Sequence, residues 1–216
     1  MSLVLEQDHV ILHGVSWQTF QQLLVDRGER CGVLLAYDRG TVELRMPSQE
    51  HEWVKTTLTR IVDAIAFARD LDYHSLGSTT FGREDLDRGF EPDACFYLAH
   101  AEAVPLTRPL DLSIDPAPDV VIEVDISRSL LDKLPIYAAL RVPEVWRYSN
   151  GSVEIRCLTA EGYDMADTSR ILPGITVALV QQFLHAARTA TNRTAWFKGI
   201  VAAVTSRDSQ CSLDGV

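Results

Sequence analysis

Five apolar residues recur at three- and four-residue steps between Val54 and Ile65. This spacing puts them on one face of a helix and predicts an amphipathic helix over 50–69. Ser48 precedes this segment and can cap its first turn. Weaker patterns of the same kind predict further helices at 16–28, 129–140, 175–188 and 194–204.

The run DVVIEVD at 119–125 is the clearest buried strand in the sequence. Two hairpins are predicted, one around residues 38–40 and one around Asn150-Gly151, a pair that favours a tight turn between strands. Shorter strands are predicted at 79–83, 93–98 and 163–167.

The order of these elements predicts a mixed sheet with helices packed on it, in the α/β or α+β class. The length of 216 residues suits one domain with an extension. We therefore expect a single domain over 1–188 and a C-terminal extension over 189–216, partly helical and mobile. The proline-bearing segment 99–118 is long for a connection, so it is expected to be functional or to hold a short edge strand.

The charge balance limits the classes of partner. The chain has 20 basic and 30 acidic residues and a net charge of −10. Such a protein binds nucleic acid poorly without sequence specificity, because phosphate affinity comes largely from Lys and Arg. No apolar run reaches the length that crosses a bilayer, and we expect neither a secretory signal nor a membrane partner. The four cysteines lack the spacing of metal clips or disulfide scaffolds. Cytoplasmic localisation is the resulting expectation.

Acidic side chains interrupt the apolar strand at 119–125. Because side chains alternate across a strand, Glu123 and Asp125 share one face with Asp119. Buried carboxylates are costly unless they pair with a base, take up protons or bind a metal. A structural ion pair at the end of the strand and a functional site both remain open at this point.

Asp93 follows Glu91-Pro92 at the start of another predicted strand. It could meet Glu123 across adjacent strands, and two carboxylates with a backbone carbonyl would form an oxygen-rich site suited to Mg²⁺. Lys133, ten residues after Glu123, could position water or offset charge on a phosphate. We expect Lys133 to be partly exposed at the start of its helix.

Three segments together resemble a known family. They are EPD at 91–93, MPSQEHE at 46–52, and PDVVIEVDISRSLLDKLPIYAALRVPEVWRYSNG at 118–151. They are similar to the Uma-type "putative restriction endonuclease" family of the PD-(D/E)XK nuclease superfamily, and the resemblance covers roughly residues 15–187. It implies a restriction-endonuclease-like core, a central mixed sheet flanked by helices.

The resemblance also implies roles for residues. The aspartate of the superfamily motif maps onto Asp93 rather than Asp119, which lies only four residues before Glu123. Glu123 is the acidic member, and the metal ligands would be Asp93, Glu123 and the backbone carbonyl of Val124. Asp125 stands where the superfamily lysine is expected, so Lys133 would supply that group from the following helix.

Other residues have a functional and a structural interpretation. Glu43 could stand near the metal or be a solvated hairpin residue, and His51 could orient a carboxylate or phosphate or be a helix-terminal histidine. Asp125 could be a further catalytic group, a metal ligand or a partner for Lys133. The remaining candidates are expected to be structural: Ser127 and Ser129 as helix N-caps, Tyr137 and Trp146 as core aromatics, and His9 outside any metal group.

The sequence therefore predicts a Mg²⁺-dependent DNA endonuclease, with Mn²⁺ as a substitute ion and a homodimer as the plausible assembly. The alternative is a catalytically inactive binding or regulatory protein on the same fold, favoured by the net charge and by EVD in place of the usual motif. A two-carboxylate glycosidase fits less well, because it would have no use for Lys133.

Overall fold

The computed structural model of the protein describes residues 2–6, 8–28, 32–127 and 131–213, the side chains at 2–6 and 211–213 excepted. Short 3₁₀ turns lie at Glu84–Leu86 and Ala101–Ala103. The strands and helices are β1 (Ser2–Glu6), β2 (His9–His13), α1 (Trp17–Arg27), β3 (Leu34–Asp38), β4 (Thr41–Arg45), α2 (Gln49–Ala68), β5 (His74–Ser75), β6 (Phe81–Arg83), β7 (Arg88–Phe90), β8 (Ala94–Tyr97), β9 (Val120–Asp125), α3 (Leu134–Ala139), β10 (Glu144–Ser149), β11 (Ser152–Thr159), β12 (Gly162–Ala166), α4 (Val177–Thr189) and α5 (Arg193–Leu213).

A six-stranded mixed sheet forms the centre of the fold, in the order β12-β11-β10-β9-β8-β5. Strands β9 and β10 are parallel, and the other neighbours in this sheet are antiparallel. The predicted mixed sheet flanked by helices is thus confirmed. A second sheet, β1-β2-β4-β3-β7-β6, is antiparallel throughout and was not predicted as a separate unit.

The central strand β9 is buried on both faces, which explains its apolar composition. Val120, Ile122 and Val124 pack in a cluster with the buried faces of α2, α4 and α5. Val121 points the other way and packs with Ile136 of α3 and other residues of a second cluster. The predicted alternation of side chains along this strand is therefore observed, and it points Glu123 towards the α3 side.

Local sequence signals fix two helices and one hairpin. The Ser16 and Ser48 side chains accept backbone hydrogen bonds at the N-termini of α1 and α2, and α1 ends at Gly28. The hairpin β10–β11 turns at Asn150 and Gly151, which have φ of 51° and 83°. Both residues take the left-handed conformation that two-residue hairpin turns require.

Helix α3 is shorter than the predicted 129–140, and residues 128–130 lie outside the described part of the chain. It begins at Leu134, with Pro135 in its first turn, because proline cannot donate a helical hydrogen bond and crowds the preceding turn. Lys133 occupies the N-cap position. The expectation that Ser127 caps this helix is therefore wrong, and Ser129 lies among the residues not described.

Several elements were missed or differ from expectation. The hairpin β1–β2 and the short strands β5 and β7 come from segments without a clear alternating pattern. The connection at 99–118 holds a 3₁₀ turn and no strand among its residues, all of which are described.

The C-terminal helix α5 is longer than the helix expected at 194–204. Its side chains Trp196, Ile200 and Val204 are buried in the same cluster as the apolar face of α2. The division of the chain at residue 188 remains a prediction, and the packing of α5 gives a direct way to test it.

Among the described residues, no helix combines the length and the apolar character needed to cross a membrane. Cys95 and Cys157 are buried free thiols. Cys31 lies outside the described residues.

Candidate active site

Asp93 and Glu123 lie on neighbouring strands of the mixed sheet. Asp93 directly precedes β8, Glu123 lies within β9, and these strands pair so that Ala94 is opposite Ile122. Asp93 Oδ2 accepts a 2.7 Å hydrogen bond from the backbone N–H of Val124. Both carboxylates are buried. The pairing of β8 with β9 thus brings together two acids that are far apart in the sequence.

Two donors from the α3 segment hold Glu123. Lys133 Nζ donates to Oε2 at 2.9 Å, and the Tyr137 hydroxyl donates to Oε1. Lys133 is only 8% exposed, which corrects the expectation of a partly exposed lysine. Burial raises the pKa of Glu123, while Lys133 opposes that shift. Burial and the adjacent Glu123 raise the pKa of Tyr137 well above its ordinary value, so its hydroxyl remains a donor.

A buried arginine, Arg45, stands between the two carboxylates. It is the last residue of β4 in the other sheet and is 3% exposed. Its Nη2 donates to Asp93 Oδ1 at 2.5 Å and lies 3.6 Å from Glu123 Oε2. Its Nη1 donates to the carbonyl of Val124 at 2.9 Å. The guanidinium therefore contacts all three groups expected to hold a metal ion.

The charge on Asp93 is stabilised by its neighbours. Burial alone would raise the pKa of Asp93, but the Arg45 guanidinium and then His51 hold it well below the usual range. His51 Nε2 lies 3.1 Å from Asp93 Oδ1. Neither ring nitrogen of His51 is oriented for a hydrogen bond with any described residue. His51 thus lies at ion-pair distance from Asp93 while standing in the first turn of α2, so both interpretations of it remain open and its role stays a prediction.

Glu43 is 1% exposed, so it is not a solvated hairpin residue. Its Oε1 lies 3.1 Å from His9 Nδ1 and accepts a hydrogen bond from the Leu131 N–H, and its Oε2 lies 3.8 Å from Lys133 Nζ. On its other side, His9 Nε2 is 3.0 Å from Ser127 Oγ. Glu43 therefore belongs to the same charged cluster as Glu123, with Lys133 between them.

Asp125 lies at the edge of this cluster. Arg147 Nε of β10 donates to its Oδ2 at 2.7 Å, and Arg45 Nη1 lies 3.9 Å from its Oδ1. Among the described residues, Lys133 forms its ion pairs with Glu43 and Glu123. The interpretation of Asp125 as a partner for Lys133 is therefore wrong, because Arg147 is its near cation.

Two other acids of the sequence motifs have structural partners. Asp119 accepts hydrogen bonds from the backbone N–H groups of Leu98 and His100, and so fixes the turn after β8. Glu91 accepts two hydrogen bonds from the Arg27 guanidinium. This engagement of Asp119 favours Asp93 as the aspartate that faces Glu123.

Comparison with known proteins supplies the family. A family model described as "Putative restriction endonuclease", Uma2, matches residues 17–191, most of the chain. The chain belongs to the Uma2 family. A solved structure described as a "putative nuclease belonging to DUF820" from Anabaena variabilis ATCC 29413 is similar to the chain at 13% identity and a TM-score of 0.49, over 69% of this chain and 90% of that one. No curated protein matches the chain.

In this Uma2-family protein the charged cluster opens into a cleft of about 620 Å³. Glu123, Asp125, Lys133, Tyr137 and Arg147 are among its lining residues, so the wall carries both acidic and basic groups. Among the described residues, no three His, Cys, Asp or Glu side chains are arranged as a metal-binding group. The predicted metal site has two carboxylates and a carbonyl, and the roles of its residues stay a prediction.

Sequence reasoning missed Arg45 and His9. A signal for Arg45 was present, because alternation along β4 puts it on the same face as Glu43, two residues earlier. No comparable signal existed for His9, since it lies on the unpredicted strand β2, directly opposite Arg45. Tyr137 was expected only as a core aromatic, and its hydroxyl contact with Glu123 was not anticipated.

Proposed function

We propose that this protein is a metal-dependent endonuclease that hydrolyses phosphodiester bonds in DNA. The observation that carries the proposal is the convergence of Asp93, Glu123 and Lys133 in one buried cluster, of which Glu123 and Lys133 line the cleft. Membership of the Uma2 family supports the same reaction class. A purely structural ion pair would not require three carboxylates, a lysine and an arginine to be gathered beside an open cleft.

The donor set fits Mg²⁺, with Mn²⁺ as a substitute. Asp93, Glu123 and the Val124 carbonyl offer oxygen atoms, which this ion prefers. The three groups already surround a cationic group, the Arg45 guanidinium, so their field suits a positive charge at this position. When bound, Mg²⁺ would supply Lewis-acid polarisation of the scissile phosphate.

Lys133 and Tyr137 have distinct tasks in this proposal. Lys133 lines the cleft, where its charge can offset the negative charge that develops on the phosphoryl oxygens in the transition state. It can also position the attacking water. The Tyr137 hydroxyl orients Glu123 by donating to the oxygen that Lys133 leaves free. Asp125 and Arg147 would contact substrate or water at the rim.

The substrate and assembly follow from the same reaction. A net charge of −10 limits the general affinity of the protein for phosphate, so we propose that DNA binding depends on local cations at the cleft. Cutting both strands needs two sites, and a twofold homodimer would supply them. We place the protein in the cytoplasm, where DNA and millimolar Mg²⁺ are both available.

Plasmid cleavage tests the proposal. Supercoiled DNA incubated with the wild type in Mg²⁺ or Mn²⁺ should become nicked or linear. Asp93→Asn and Glu123→Gln should each lower the rate at least about 100-fold, the scale seen when a charge-stabilising group is removed from an active site. Circular dichroism should show that both variants remain folded.

The matched control is Asp164→Asn, an exposed aspartate on β12 far from the cluster in the sheet order. It should cleave at the wild-type rate. A folded wild type that cleaves no DNA in either ion would contradict the proposal and favour the alternative, a nuclease fold that binds or regulates without catalysis.

A further inference from the structure

The guanidinium of Arg45 occupies the position that the proposed metal ion would need. Its Nη2 atom lies 2.5 Å from Asp93 Oδ1 and 3.6 Å from Glu123 Oε2, and its Nη1 atom lies 2.9 Å from the Val124 carbonyl oxygen. These are the three proposed metal ligands. Arg45 reaches them from β4 of the antiparallel sheet, whereas the ligands all lie in the mixed sheet or directly before it.

An ion and the guanidinium cannot both occupy this position. Mg²⁺ binds oxygen ligands at about 2.0–2.1 Å with near-octahedral geometry. Arg45 Nη2 is hydrogen-bonded to Asp93 Oδ1, and Nη1 is hydrogen-bonded to the Val124 carbonyl. Both nitrogens would therefore lie within the space of the ion and its remaining ligands. Two cations this close in a buried site would also repel each other strongly. Binding of the ion therefore requires Arg45 to move.

The hydrogen bonds of Arg45 are confined to one end of its side chain. Its Nε is buried and has no hydrogen-bond partner among the described residues, so the guanidinium is held only at its terminal nitrogens. His51 is a second neighbour of Asp93, with Nε2 3.1 Å from Oδ1. If Arg45 withdrew, Asp93 would keep the Val124 N–H and the nearby His51.

We propose that Arg45 is an internal competitor of the metal ion, so that the protein exists in an arginine-bound state and a metal-bound state that exclude each other. This inference rests on the proposed metal-dependent function. It predicts weak apparent metal affinity in the wild type. If the arginine-free state is populated at about 1–10%, the apparent Kd is weakened about ten- to hundredfold relative to a site without the competitor.

Calorimetric titration with Mn²⁺ of the wild type and of Arg45→Met tests the proposal. Methionine keeps an apolar side chain of similar length and removes the guanidinium. We expect Arg45→Met to bind Mn²⁺ at least about tenfold more tightly than the wild type. It should also melt at a lower temperature without Mn²⁺ and regain stability when Mn²⁺ is added, because the ion replaces the lost positive charge.

The matched control is Arg147→Met. It removes the same charge from the same cluster, but the Arg147 guanidinium hydrogen-bonds Asp125 and, among the described residues, forms no ion pair with Asp93 or Glu123. If competition depends on position, Arg147→Met should tighten Mn²⁺ binding far less than Arg45→Met. Equal tightening by both variants would overturn the proposal, since charge alone would then explain the effect.

A measurement on the wild type avoids dependence on how well Arg45→Met folds. The ¹⁵N NMR signal of the Arg45 side chain, assigned by its loss in Arg45→Lys, should shift during a Mg²⁺ titration. A signal that stays unchanged while Mg²⁺ binds would overturn the inference and leave the metal-dependent function standing. If neither ion binds the wild type or Arg45→Met at millimolar concentration, the metal requirement itself fails and the inference fails with it.

Discussion

Glu123 is buried in the middle of the sheet, and Lys133 compensates its negative charge. Lys133 Nζ is 2.9 Å from Glu123 and 3.8 Å from Glu43, so one lysine compensates two carboxylates. All three side chains are buried. Removing one member of a buried ion pair is costly because the remaining charge has no solvent to replace its partner.

Lys133→Met should therefore reduce both stability and activity. We expect the free energy of unfolding to fall by about 3–5 kcal/mol, measured by urea denaturation at pH 7. The double variant Lys133→Met/Glu123→Gln should recover part of that loss, since the uncompensated charge is gone. Plasmid cleavage should be lost in every variant without Lys133.

Lys198→Met is the matched control, because Lys198 is exposed on α5. Its unfolding free energy should stay within about 0.5 kcal/mol of the wild type. A Lys133→Met protein as stable as this control would show that Lys133 is not a compensating charge, and cleavage at the wild-type rate would remove it from the mechanism.

The residues that could be predicted are those with a signal in their own segment. Glu123 interrupts an apolar strand, and Asp93 opens another. Because an unpaired carboxylate is costly in a buried core, both residues could be recognised as unusual from the sequence. Arg45 reaches the cluster from the other sheet. Alternation along β4 puts Arg45 on the same face as Glu43, but its contact with Asp93 and Glu123 depends on how the two sheets pack, and one of those sheets was not predicted.

At the scale of elements, the helices and hairpins with strong caps or turns were predicted well. Ser16, Ser48 and Asn150-Gly151 fix the ends of α1, α2 and the β10–β11 turn through local hydrogen bonds and backbone conformation. Strand β2 also pairs with β4, and strand β7 with β3, so both have pairing partners distant in sequence. Such strands depend on tertiary context more than on propensity.

Strand β7 shows how tightly the antiparallel sheet packs on α1. A Cβ atom at Gly89 would lie 2.7 Å from Cε1 of Phe20 and 3.2 Å from the Phe81 carbonyl oxygen. Phe20 is fully buried and stacks on Tyr37 at a centroid distance of 5.0 Å, so it has little room to shift. The sheet that positions Arg45 and Glu43 thus depends on a close approach that only glycine permits.

Gly89→Ala should destabilise the protein by about 1–3 kcal/mol through overpacking. Gly199→Ala is the control, because a Cβ there meets nothing within 4 Å and Gly199 lies in the interior of α5. The control should gain about 0.5–1 kcal/mol from helix propensity. Thermal and urea denaturation of both variants would measure these opposite changes in stability. A Gly89→Ala protein as stable as the wild type would show that the Phe20 side chain can move aside.

For the whole molecule, the net negative charge affects DNA binding, whereas the charges of the buried cluster affect folding. The net charge of −10 limits general affinity for DNA. The cluster has its own compensation, with Arg45, Lys133 and Arg147 placed against the acids at 43, 93, 123 and 125. The site can therefore remain folded without a metal ion, and any metal dependence would be one of activity more than of folding.

Helix α5 decides how far the folded domain extends. The sequence beyond residue 188 is weakly patterned, which led us to expect a mobile extension, yet Ile200 is 1% exposed in the main apolar cluster. Ile200→Ala should lower the free energy of unfolding by about 2–5 kcal/mol, because it leaves a cavity between α5 and the rest of the core. Thr205→Ala, an exposed position on the same helix, should change it by no more than about 0.5 kcal/mol. Urea denaturation that finds both variants equal to the wild type would show that α5 behaves as a separate extension, whereas a loss confined to Ile200→Ala would extend the domain through α5.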